Sequence, residues 1–509
     1  MKAKVKKFIR FVCSRNTFLL LSLLAQIALM IIMFFITDRY VTKILGSAIT
    51  VFAFIVALFI HNSRSHPDTK LAYVIILVLF PLLGILIYIF TVLSMGNHKF
   101  KKHLKKVQKE TTPLVQNVDA IANLDDNIKG ISYYLYNSCN FPTYKNTTCK
   151  YYPDGQSKLE DMVEALKSAE KFIFLEYYII QHGKFLSTIM DILEEKVKHG
   201  VEVRFMYDGT SSIAKIPHSF VKKTNKKGIK CKMFLPVRAI ISTEYNNRDH
   251  RKLCIIDNKI AFTGGINLAD EYIGLKEPFG KWKDVGIKIE GEAVTSFTQM
   301  FLKMWNFKQK QIEDFSVYTN SCHKTENNGV FIPFGDHPHD NEDVSKTVIL
   351  QTLATAKKYV HFTTPYLILD DELTHALVNT AKRGVDVSIA TPGRPDKKIT
   401  YYVTISNYRK LIEGGVKIYQ YTPGFIHAKM MICDDSCAML GTVNLDYRSL
   451  YLNFEDSVFI YDNSEVLEIE HDFNKIINDS KLVDITEYKK INILKRFIGG
   501  LFKIIAPLL

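Results

Sequence analysis

Cysteine is scarce in this sequence of 509 residues. Its eight cysteines form no CxxC pair and none of the close spacings of a disulfide-rich secreted domain, so we expect most of them to be reduced and buried. Two of them, Cys433 and Cys437, lie near His427. Their spacing on a predicted hairpin is poorly suited to a metal site. We therefore predict neither a disulfide framework nor a bound metal.

Acidic residues are nearly absent from three segments, 1–16, 99–110 and 485–509. These segments have net charges of +6, +5 and +4, which together make +15. The whole chain has a net charge of +14, so the remaining residues together carry −1. A nucleic-acid-binding protein concentrates basic residues on a folded face, whereas here they lie beside apolar segments. The pattern favours an anionic membrane surface as partner and disfavours nucleic acid. The 47% of hydrophobic residues excludes a disordered or fibrous chain.

Charged residues are also missing from three apolar runs, 17–36, 44–60 and 71–93. The first and third are long enough to span about 30 Å of hydrocarbon, while the second is marginal. A signal peptide is not expected to be followed by two further apolar runs. Buried core helices are disfavoured because the runs have no polar face. We therefore predict a multi-pass protein of the cell membrane.

The basic segments also bear on orientation. The positive-inside rule places both 1–16 and 99–110 in the cytoplasm, which requires an even number of crossings. Three full spans would place them on opposite sides. We therefore expect one run to be re-entrant or interfacial, and the globular body to be cytoplasmic.

From about residue 155 the chain reads as two copies of one plan. Each copy alternates amphipathic helices with short apolar strands, and glycines mark the helix ends. Corresponding segments are offset by 184 to 187 residues: 169–173 and 356–360, 200–203 and 384–387, 228–230 and 415–417. The pattern predicts an α/β protein with two duplicated domains, each a central sheet flanked by helices.

These features divide the chain into five predicted regions. They are a membrane region (1–94), a basic juxtamembrane linker (95–130), a first α/β domain (131–325), a second α/β domain (326–484) and a basic amphipathic C-terminal helix (485–509). Basic and apolar residues mixed in the last region are typical of a helix that lies in an anionic interface. The alternative is a terminal helix packed on the body.

Each copy ends in a polar motif with the same spacing, HxKxxxxD followed by a glycine and an asparagine. Five residue types that recur in the same place in each repeat are unlikely to be a coincidence. The motif residues are His250, Lys252, Asp257, Gly264 and Asn267 in the first copy, and His427, Lys429, Asp434, Gly441 and Asn444 in the second. The His, Lys and Asp of each motif are the candidate catalytic residues.

The spacing indicates the chemistry. Histidine and lysine two apart on a strand point to the same face, while the aspartate fits a tight turn and can be structural. The glycine allows a close approach of the backbone, and the asparagine can donate an amide hydrogen bond. Two such sets suit a phosphodiester: lysines neutralise its oxygens, one histidine attacks and the other protonates the leaving oxygen. Neither metal nor cofactor is required.

The paired motifs resemble those of the phospholipase D superfamily, and their surroundings resemble its bacterial cardiolipin synthase branch over nearly the whole chain. Beyond the motifs, the resemblance depends on the segments 65–72, 81–84, 207–209, 364–366, 444–449 and 453–455. It implies two phospholipase D-like domains that form one site. It also implies a reaction in which two phosphatidylglycerols yield cardiolipin and glycerol through a phosphatidyl-histidine.

The resemblance further implies supporting residues. An acidic residue downstream of each motif commonly orients the histidine in that family, which indicates Asp284 and Glu455 here. The family often has serine after the motif glycine. This chain has Gly265 and Thr442 instead, so only the second half keeps a hydroxyl. By analogy with the family, His250 is the expected nucleophile.

Other functions remain open at this point. A phospholipase D hydrolase, or a transferase that uses another alcohol, would share the first half-reaction. A non-catalytic lipid-binding scaffold is disfavoured because both motifs are complete, and a nuclease is disfavoured by the apolar runs. The sequence leaves open the acceptor, the identity of the nucleophilic histidine and the oligomeric state.

Overall fold

The structure is a computed structural model that describes residues 39–63, 65–92, 95–210, 212, 215–235, 247–320, 323–326, 329–340 and 342–508, with residues 24, 27, 28, 31 and 35. The described residues form two compact units. One holds the N-terminal helices up to Lys102 and the residues from Leu501 onward. The other holds His103–Pro236 and Asn247–Gly500.

Three apolar helices make up most of the described part of the first unit: Arg39–Asn62, Pro67–Leu79 and Pro81–Val92. They pack on one another around a small cluster that includes Ile60 and Leu77. Among the described residues, Tyr40–Asn62 is the stretch long and apolar enough to cross a membrane, with a mean hydropathy of 2.4. The run 44–60, marginal by its own length, therefore lies within a helix of 24 residues.

The run 71–93 does not form the single spanning helix that its length allows. It is divided at Phe80, because Pro81 has no N–H to donate and disfavours helical backbone at the residue before it. Its two helices have 13 and 12 residues, so each is about 20 Å long and too short to span alone. The run 17–36 lies almost entirely outside the described residues, and the number of crossings stays a prediction.

Two mixed sheets form the frame of the second unit. The strands of the first sheet are β1 (Thr147–Tyr152), β2 (Phe172–Tyr177), β3 (Glu202–Asp208), β4 (Lys230–Phe234), β5 (Lys252–Ile256), β6 (Ile260–Gly264) and β8 (Gly286–Gly291). Those of the second are β9 (Val330–Asp336), β10 (Tyr359–Thr363), β12 (Asp386–Pro392), β13 (Lys417–Tyr421), β15 (Met430–Cys433), β16 (Cys437–Gly441), β18 (Glu455–Tyr461) and β19 (Ser480–Val483). Four short strands pair outside these sheets: β7 (Lys281–Lys283), β11 (Leu367–Ile368), β14 (Gly424–Ile426) and β17 (Leu445–Asp446). The strand order is β1-β8-β6-β5-β2-β3-β4 in the first sheet and β19-β13-β12-β10-β15-β16-β18-β9 in the second.

The two sheets repeat one topology. In each, three strands pair in parallel, β2-β3-β4 in the first and β10-β12-β13 in the second. The motif strand then adds antiparallel to the first of these three, as β5 does to β2 and β15 to β10. This repeat confirms the predicted duplication of an α/β domain with a mixed sheet.

Helices flank both sheets and bury an apolar core in each half. Those of the first half are Gly155–Ser168, Lys184–Lys198, Phe220–Lys226, Val294–Trp305 and Ser316–Thr319, with a 3-10 turn at Asp270–Ile273. Those of the second are Val344–Thr355, Asp371–Lys382, Lys398–Glu413, Tyr447–Tyr451 and Glu465–Asn478. Glycines such as Gly200 and Gly384 end helices with positive φ angles of 86° and 92°, the left-handed conformation that glycine adopts without a Cβ penalty.

The predicted linker and C-terminal region are more structured than the sequence indicated. The linker contains the helices Met95–Glu110 and Val118–Ala122 and the start of Asp126–Cys139. The C-terminal region, predicted as one helix, is two: Ile485–Lys490 and Ile493–Ile505, with a 3-10 turn at Ala506–Leu508. Extended backbone at Ile491 interrupts the helical hydrogen bonds between them.

Short strands join the two halves. β7 (Lys281–Lys283) of the first half pairs in parallel with β14 (Gly424–Ile426) of the second, immediately before His427. An isolated bridge between Asp249 and Phe454 forms the equivalent contact before His250. Both motif strands therefore begin at the boundary between the halves.

Candidate active site

The motif histidines are held in place by the backbone of the opposite half. The N–H of His250 donates to the carbonyl of Phe454 at 2.9 Å, and that of His427 donates to Lys283 at 2.7 Å. Both side chains are buried. Each histidine thus depends on the other half for its position, and neither half alone completes the arrangement.

The orienting carboxylates are also exchanged between the halves. Nδ1 of His250 lies 2.7 Å and 3.0 Å from the two carboxylate oxygens of Glu455, while Nδ1 of His427 lies 2.7 Å from Oδ2 of Asp284. These are the two acidic residues that the sequence indicated, and each contacts the histidine of the other half. An Nδ1–H that donates to a carboxylate leaves the lone pair on Nε2. Both rings can therefore act through Nε2.

The motif lysines are buried beside the histidines. Nζ of Lys252 donates to the carbonyl of His250 at 2.5 Å, and Nζ of Lys429 donates to that of His427. Burial lowers the pKa of Lys252 to about 8 and that of Lys429 to about 7. Both lysines thus lose their charge more readily than exposed lysines, and an anion bound beside them would favour their charged form.

A third lysine contributes positive charge that the motif spacing does not show. Lys158, on the helix Gly155–Ser168, is buried, and its Nζ donates to the carbonyl of Thr263 at 3.1 Å. Burial lowers its pKa to about 8, and the carboxylates of Asp284 and Asp456 partly oppose that effect. Its place on an amphipathic helix resembles that of any surface lysine, so the sequence offered no signal for it.

The two histidine–carboxylate pairs differ electrostatically. Burial opposes the ionisation of Glu455, but His250, Lys252 and the hydroxyl of Thr442 outweigh it and hold the Glu455 pKa below its usual value. Burial raises the pKa of Asp284 to about 6 despite the positive charge of Lys429. Glu455 is therefore a fixed anion, while Asp284 can hold a proton near neutral pH.

The residue after each motif glycine explains part of this difference. Oγ1 of Thr442 lies 2.5 Å from Glu455 and donates to it, and Asn453 donates to the same carboxylate at 3.0 Å. At the corresponding position of the first half, a Cβ on Gly265 would lie 2.0 Å from Oδ1 of Asp284. The first half therefore has no room for a hydroxyl-bearing side chain there, and Asp284 receives one donor fewer.

Burial also sets the charge of the histidines. It lowers the pKa of His250 to about 4 and holds that of His427 well below its usual value, because a buried imidazolium loses its hydration. Glu455 opposes this effect at His250, whereas Lys429 and Lys252 add to it at His427. Both imidazoles are therefore neutral in the unliganded protein at neutral pH.

The motif aspartates lie outside this cluster. Asp257 and Asp434 follow the far ends of β5 and β15, each in a turn with a positive φ angle of 54° or 53°. Each carboxylate accepts three backbone N–H groups at 2.7 to 2.8 Å from the residues that begin the neighbouring strand. These contacts match the structural role that a place in a tight turn indicated, and a catalytic role for Asp257 and Asp434 stays a prediction.

The two motif asparagines are not equivalent. Asn267 is fully used inside the fold: its Oδ1 accepts from the N–H of Ile179 at 2.9 Å and its Nδ2 donates to the hydroxyl of Tyr272 at 2.8 Å. Asn444 is buried, and its Oδ1 has no hydrogen-bond partner among the described residues. Asn444 is thus the better candidate for a polar contact with a ligand.

Among the described residues, more aromatic rings lie around His427 than around His250. The rings of Tyr272, Trp282 and Phe425 lie 5.5 to 5.9 Å from that of His427. The ring of Tyr178 lies 4.7 Å from that of His250. The side of the site at His427 is therefore lined by more aromatic surface, while both histidines are buried to a similar extent, with exposed fractions of 6% for His250 and 8% for His427.

Cys433 and Cys437 are buried in the core of the second half. Across the part of the chain that the structure describes, no group of three or more His, Cys, Asp or Glu side chains has the geometry to hold a metal ion.

Comparisons with known proteins match both the body and the N-terminal region. The family described as "Cardiolipin synthase, PLD-like domain" matches residues 162–305 and 349–477. The family described as "Phospholipase_D-nuclease N-terminal" matches residues 48–91. The first match covers more than half of the chain and includes both motifs.

Relatives match over nearly the whole length. The chain is 44% identical to an uncharacterized protein of Streptococcus mutans serotype c, over 89% of this chain and 99% of that protein. It is 31% identical to a cardiolipin synthase of Alkalihalophilus pseudofirmus, over 96% of this chain and 99% of that protein. A phosphatidylserine synthase structure from Haemophilus influenzae shares the fold, with a TM-score of 0.57 and 16% identity over 76% of this chain and 98% of that chain. The chain therefore belongs to the cardiolipin synthase family of phospholipase D-like proteins.

Proposed function

We propose that this protein is a membrane phosphatidyltransferase that joins two phosphatidylglycerols into cardiolipin and releases glycerol. The observation that carries the proposal is the exchange of carboxylates between the halves, Glu455 to His250 and Asp284 to His427. It sets two oriented imidazoles, with a lysine beside each, in one buried cluster. The similarity to proteins named cardiolipin synthase supports the choice of lipid.

In the first half-reaction, Nε2 of His250 attacks the phosphorus of one phosphatidylglycerol. Lys252 and Lys429 neutralise the non-bridging oxygens as charge develops on them. The bond from phosphorus to the glycerol oxygen breaks, and His427 gives that oxygen a proton. Free glycerol leaves, and a phosphatidyl group remains on His250.

In the second half-reaction, His427 accepts a proton from a hydroxyl of the second phosphatidylglycerol. The resulting oxygen nucleophile attacks the same phosphorus, and the bond between phosphorus and Nε2 of His250 breaks. Cardiolipin is released, and His427 is protonated again, as microscopic reversibility requires. The phosphorus–nitrogen bond conserves the energy of the original diester, so the reaction needs no nucleotide.

The difference between the two carboxylates favours His250 as the nucleophile. A phosphatidylated imidazole is positively charged, and the fixed anion of Glu455 stabilises it. The acid and base role needs a pair that gains and loses one proton, and Asp284, with its pKa raised to about 6, can share a proton with His427. The negative phosphate of the substrate favours the protonated form of His427.

The surroundings of His427 also favour transfer to a lipid over hydrolysis. The acceptor hydroxyl must reach His427, whose aromatic neighbours limit the access of water. Water in this position would convert the covalent intermediate into phosphatidic acid, which is the hydrolase alternative.

The membrane setting belongs to the same proposal. The helix Arg39–Asn62 and the matched N-terminal family support an integral membrane protein. Basic segments on both sides of the apolar runs support a cytoplasmic body. The same proposal divides the chain into regions after residues 94, 130, 325 and 484.

The test uses purified full-length protein in mixed micelles with phosphatidylglycerol as the single phospholipid. We expect cardiolipin and glycerol in equal amounts, activity that survives EDTA, and reversal by added glycerol. His250→Ala and His427→Ala should each lower turnover by orders of magnitude, while His375→Ala, at an exposed histidine of the body, should not. Phosphatidic acid as the main product would favour the hydrolase, and a requirement for CDP-diacylglycerol would exclude this mechanism.

A further inference from the structure

The helix Ile493–Ile505, called the C-terminal helix below, exposes its apolar side instead of burying it. Five large apolar side chains on it are between 39% and 74% exposed: Ile493, Leu494, Phe497, Leu501 and Ile504. At about 100° per residue, all five fall within one arc of about 100°. They form a continuous apolar stripe along the helix.

The opposite side of the C-terminal helix is the side that packs on the body. Gly499 is buried there, and a Cβ on it would lie 2.0 Å from the carbonyl oxygen of Tyr402 on the helix Lys398–Glu413. A helix of a soluble protein normally turns its apolar stripe inward. Here a glycine contact attaches the helix to the body, and the stripe has no cover within the described chain.

Charge and position indicate what covers the stripe. The region 485–509 has five basic residues and one acidic residue, Glu487, which pairs with Lys490 at 2.6 Å. Arg496 and Lys503 lie along one flank of the stripe. The following turn, Ala506–Leu508, packs against the apolar helix Pro67–Leu79 of the same unit. An apolar stripe with basic residues beside it can bind an anionic lipid surface, because the stripe enters the acyl-chain boundary and the basic residues attract the headgroups. The neighbouring apolar helix is consistent with the same surface.

We propose that the C-terminal helix lies in the interface of an anionic bilayer, with its apolar stripe in the boundary between headgroups and acyl chains. Its 13 residues measure about 20 Å, so it lies along the surface and does not span it. The inference does not depend on the proposed reaction, because it follows from exposure and charge alone. The N-terminal apolar helices are the first attachment to the membrane. The C-terminal helix would be a second one, and it would hold the body at the surface where the anionic lipids are.

Brominated lipids, which quench nearby tryptophan fluorescence, provide the test. Phe497→Trp is made in the full-length protein and placed in nanodiscs of phosphatidylglycerol brominated along the acyl chains. The native Trp282 and Trp305 give the background, measured in the unmodified protein. Leu467→Trp is the matched control, because Leu467 is 52% exposed on a helix of the body.

We expect strong quenching of the tryptophan at position 497 and little at position 467. Brominated phosphatidylcholine should quench position 497 less, because it lacks the anionic headgroup. Absence of quenching at position 497 in folded protein would overturn the proposal, and equal quenching in both lipids would overturn the anionic preference. A different result would show that a second copy of the chain, and not lipid, covers the stripe. In that case Phe497→Glu would abolish a dimer, and Phe497→Trp would not be quenched.

Steady-state kinetics distinguish this lipid-docking proposal from the proposed reaction. Phe497→Glu with Leu501→Glu should raise the KM for lipid in mixed micelles by roughly tenfold, which corresponds to about 1.4 kcal/mol, and leave kcat unchanged. Leu467→Glu should change neither. Quenching at position 497 in a protein that makes no cardiolipin would support lipid docking and refute only the proposed reaction. An unchanged KM in the double variant would refute a role for docking in catalysis.

Discussion

The hydroxyl of Thr442 offers a sharp test of how Glu455 supports catalysis. Thr442→Val has nearly the same shape but removes the hydrogen bond to Glu455 at 2.5 Å. The same oxygen also accepts from the N–H of Asp456 at 2.9 Å. The substitution therefore deprives a buried anion of one of its donors and leaves a buried N–H without its acceptor.

The expected loss follows from the strength of a hydrogen bond to a charged group, about 1.5 to 3 kcal/mol. Glu455 matters most when His250 carries the phosphatidyl group, so we expect this energy to affect the chemical step. At about 1.4 kcal/mol for each factor of ten, kcat should fall by about 10- to 150-fold. KM should change little, because the hydroxyl contacts no part of the lipid in this mechanism.

The pH profile separates a positioning role from simple damage to the fold. Glu455 must be ionised, and its pKa lies below the usual value partly because Thr442 donates to it. Without that donor the pKa rises, so activity lost on acidification should be lost at a higher pH in Thr442→Val. Thr442→Ser keeps the hydroxyl and should retain both kcat and the profile.

The assay is the release of glycerol in phosphatidylglycerol micelles as a function of pH, with thermal unfolding measured in parallel. If Thr442→Ser is as impaired as Thr442→Val, or if the acid limb does not move, the reasoning about Glu455 is wrong.

Three further predictions use the same assay. Gly265→Ser introduces the residue that the family often has at this position. It should nevertheless lower kcat by about 100-fold, because the new Cβ would displace Asp284 from His427. Near-normal activity of this variant would refute the reasoning. Asp434→Asn should lower the free energy of unfolding by about 1 to 3 kcal/mol, because its carboxylate accepts three backbone N–H groups, and should leave kcat per folded molecule unchanged. At limiting phosphatidylglycerol, activity should fall as pH rises through about 7 to 8, because Lys429 and Lys252 of the unliganded protein lose their charge there; a flat alkaline limb of kcat/KM would argue against phosphate neutralisation by these lysines.

Much of the fold could be predicted because it depends on local patterns. Apolar strands after helix-ending glycines repeat at an offset of 184 to 187 residues, and the two sheets repeat one topology accordingly. The turns at Asp257 and Asp434 follow from the residues that form them. The break before Pro81 is equally local, but the length and hydropathy of the run, which predict a single span, do not depend on a proline.

The site was predictable in its residue types but not in its connections. The resemblance to the family indicated Asp284 and Glu455 as candidate partners of the histidines. The sequence by itself determined that two His-x-Lys pairs lie at the starts of central strands. It also determined that one half keeps a hydroxyl and the other does not. These properties depend on identity and spacing along one strand.

Only the tertiary structure decided which carboxylate serves which histidine, since the partners are 205 and 143 residues apart in the chain. It also brought Lys158 into the cluster, removed the motif aspartates from it and left the apolar stripe of the C-terminal helix uncovered. The physical reason is common to all four. Each depends on how separate elements pack against one another, and packing between distant segments leaves no periodic signal in the sequence.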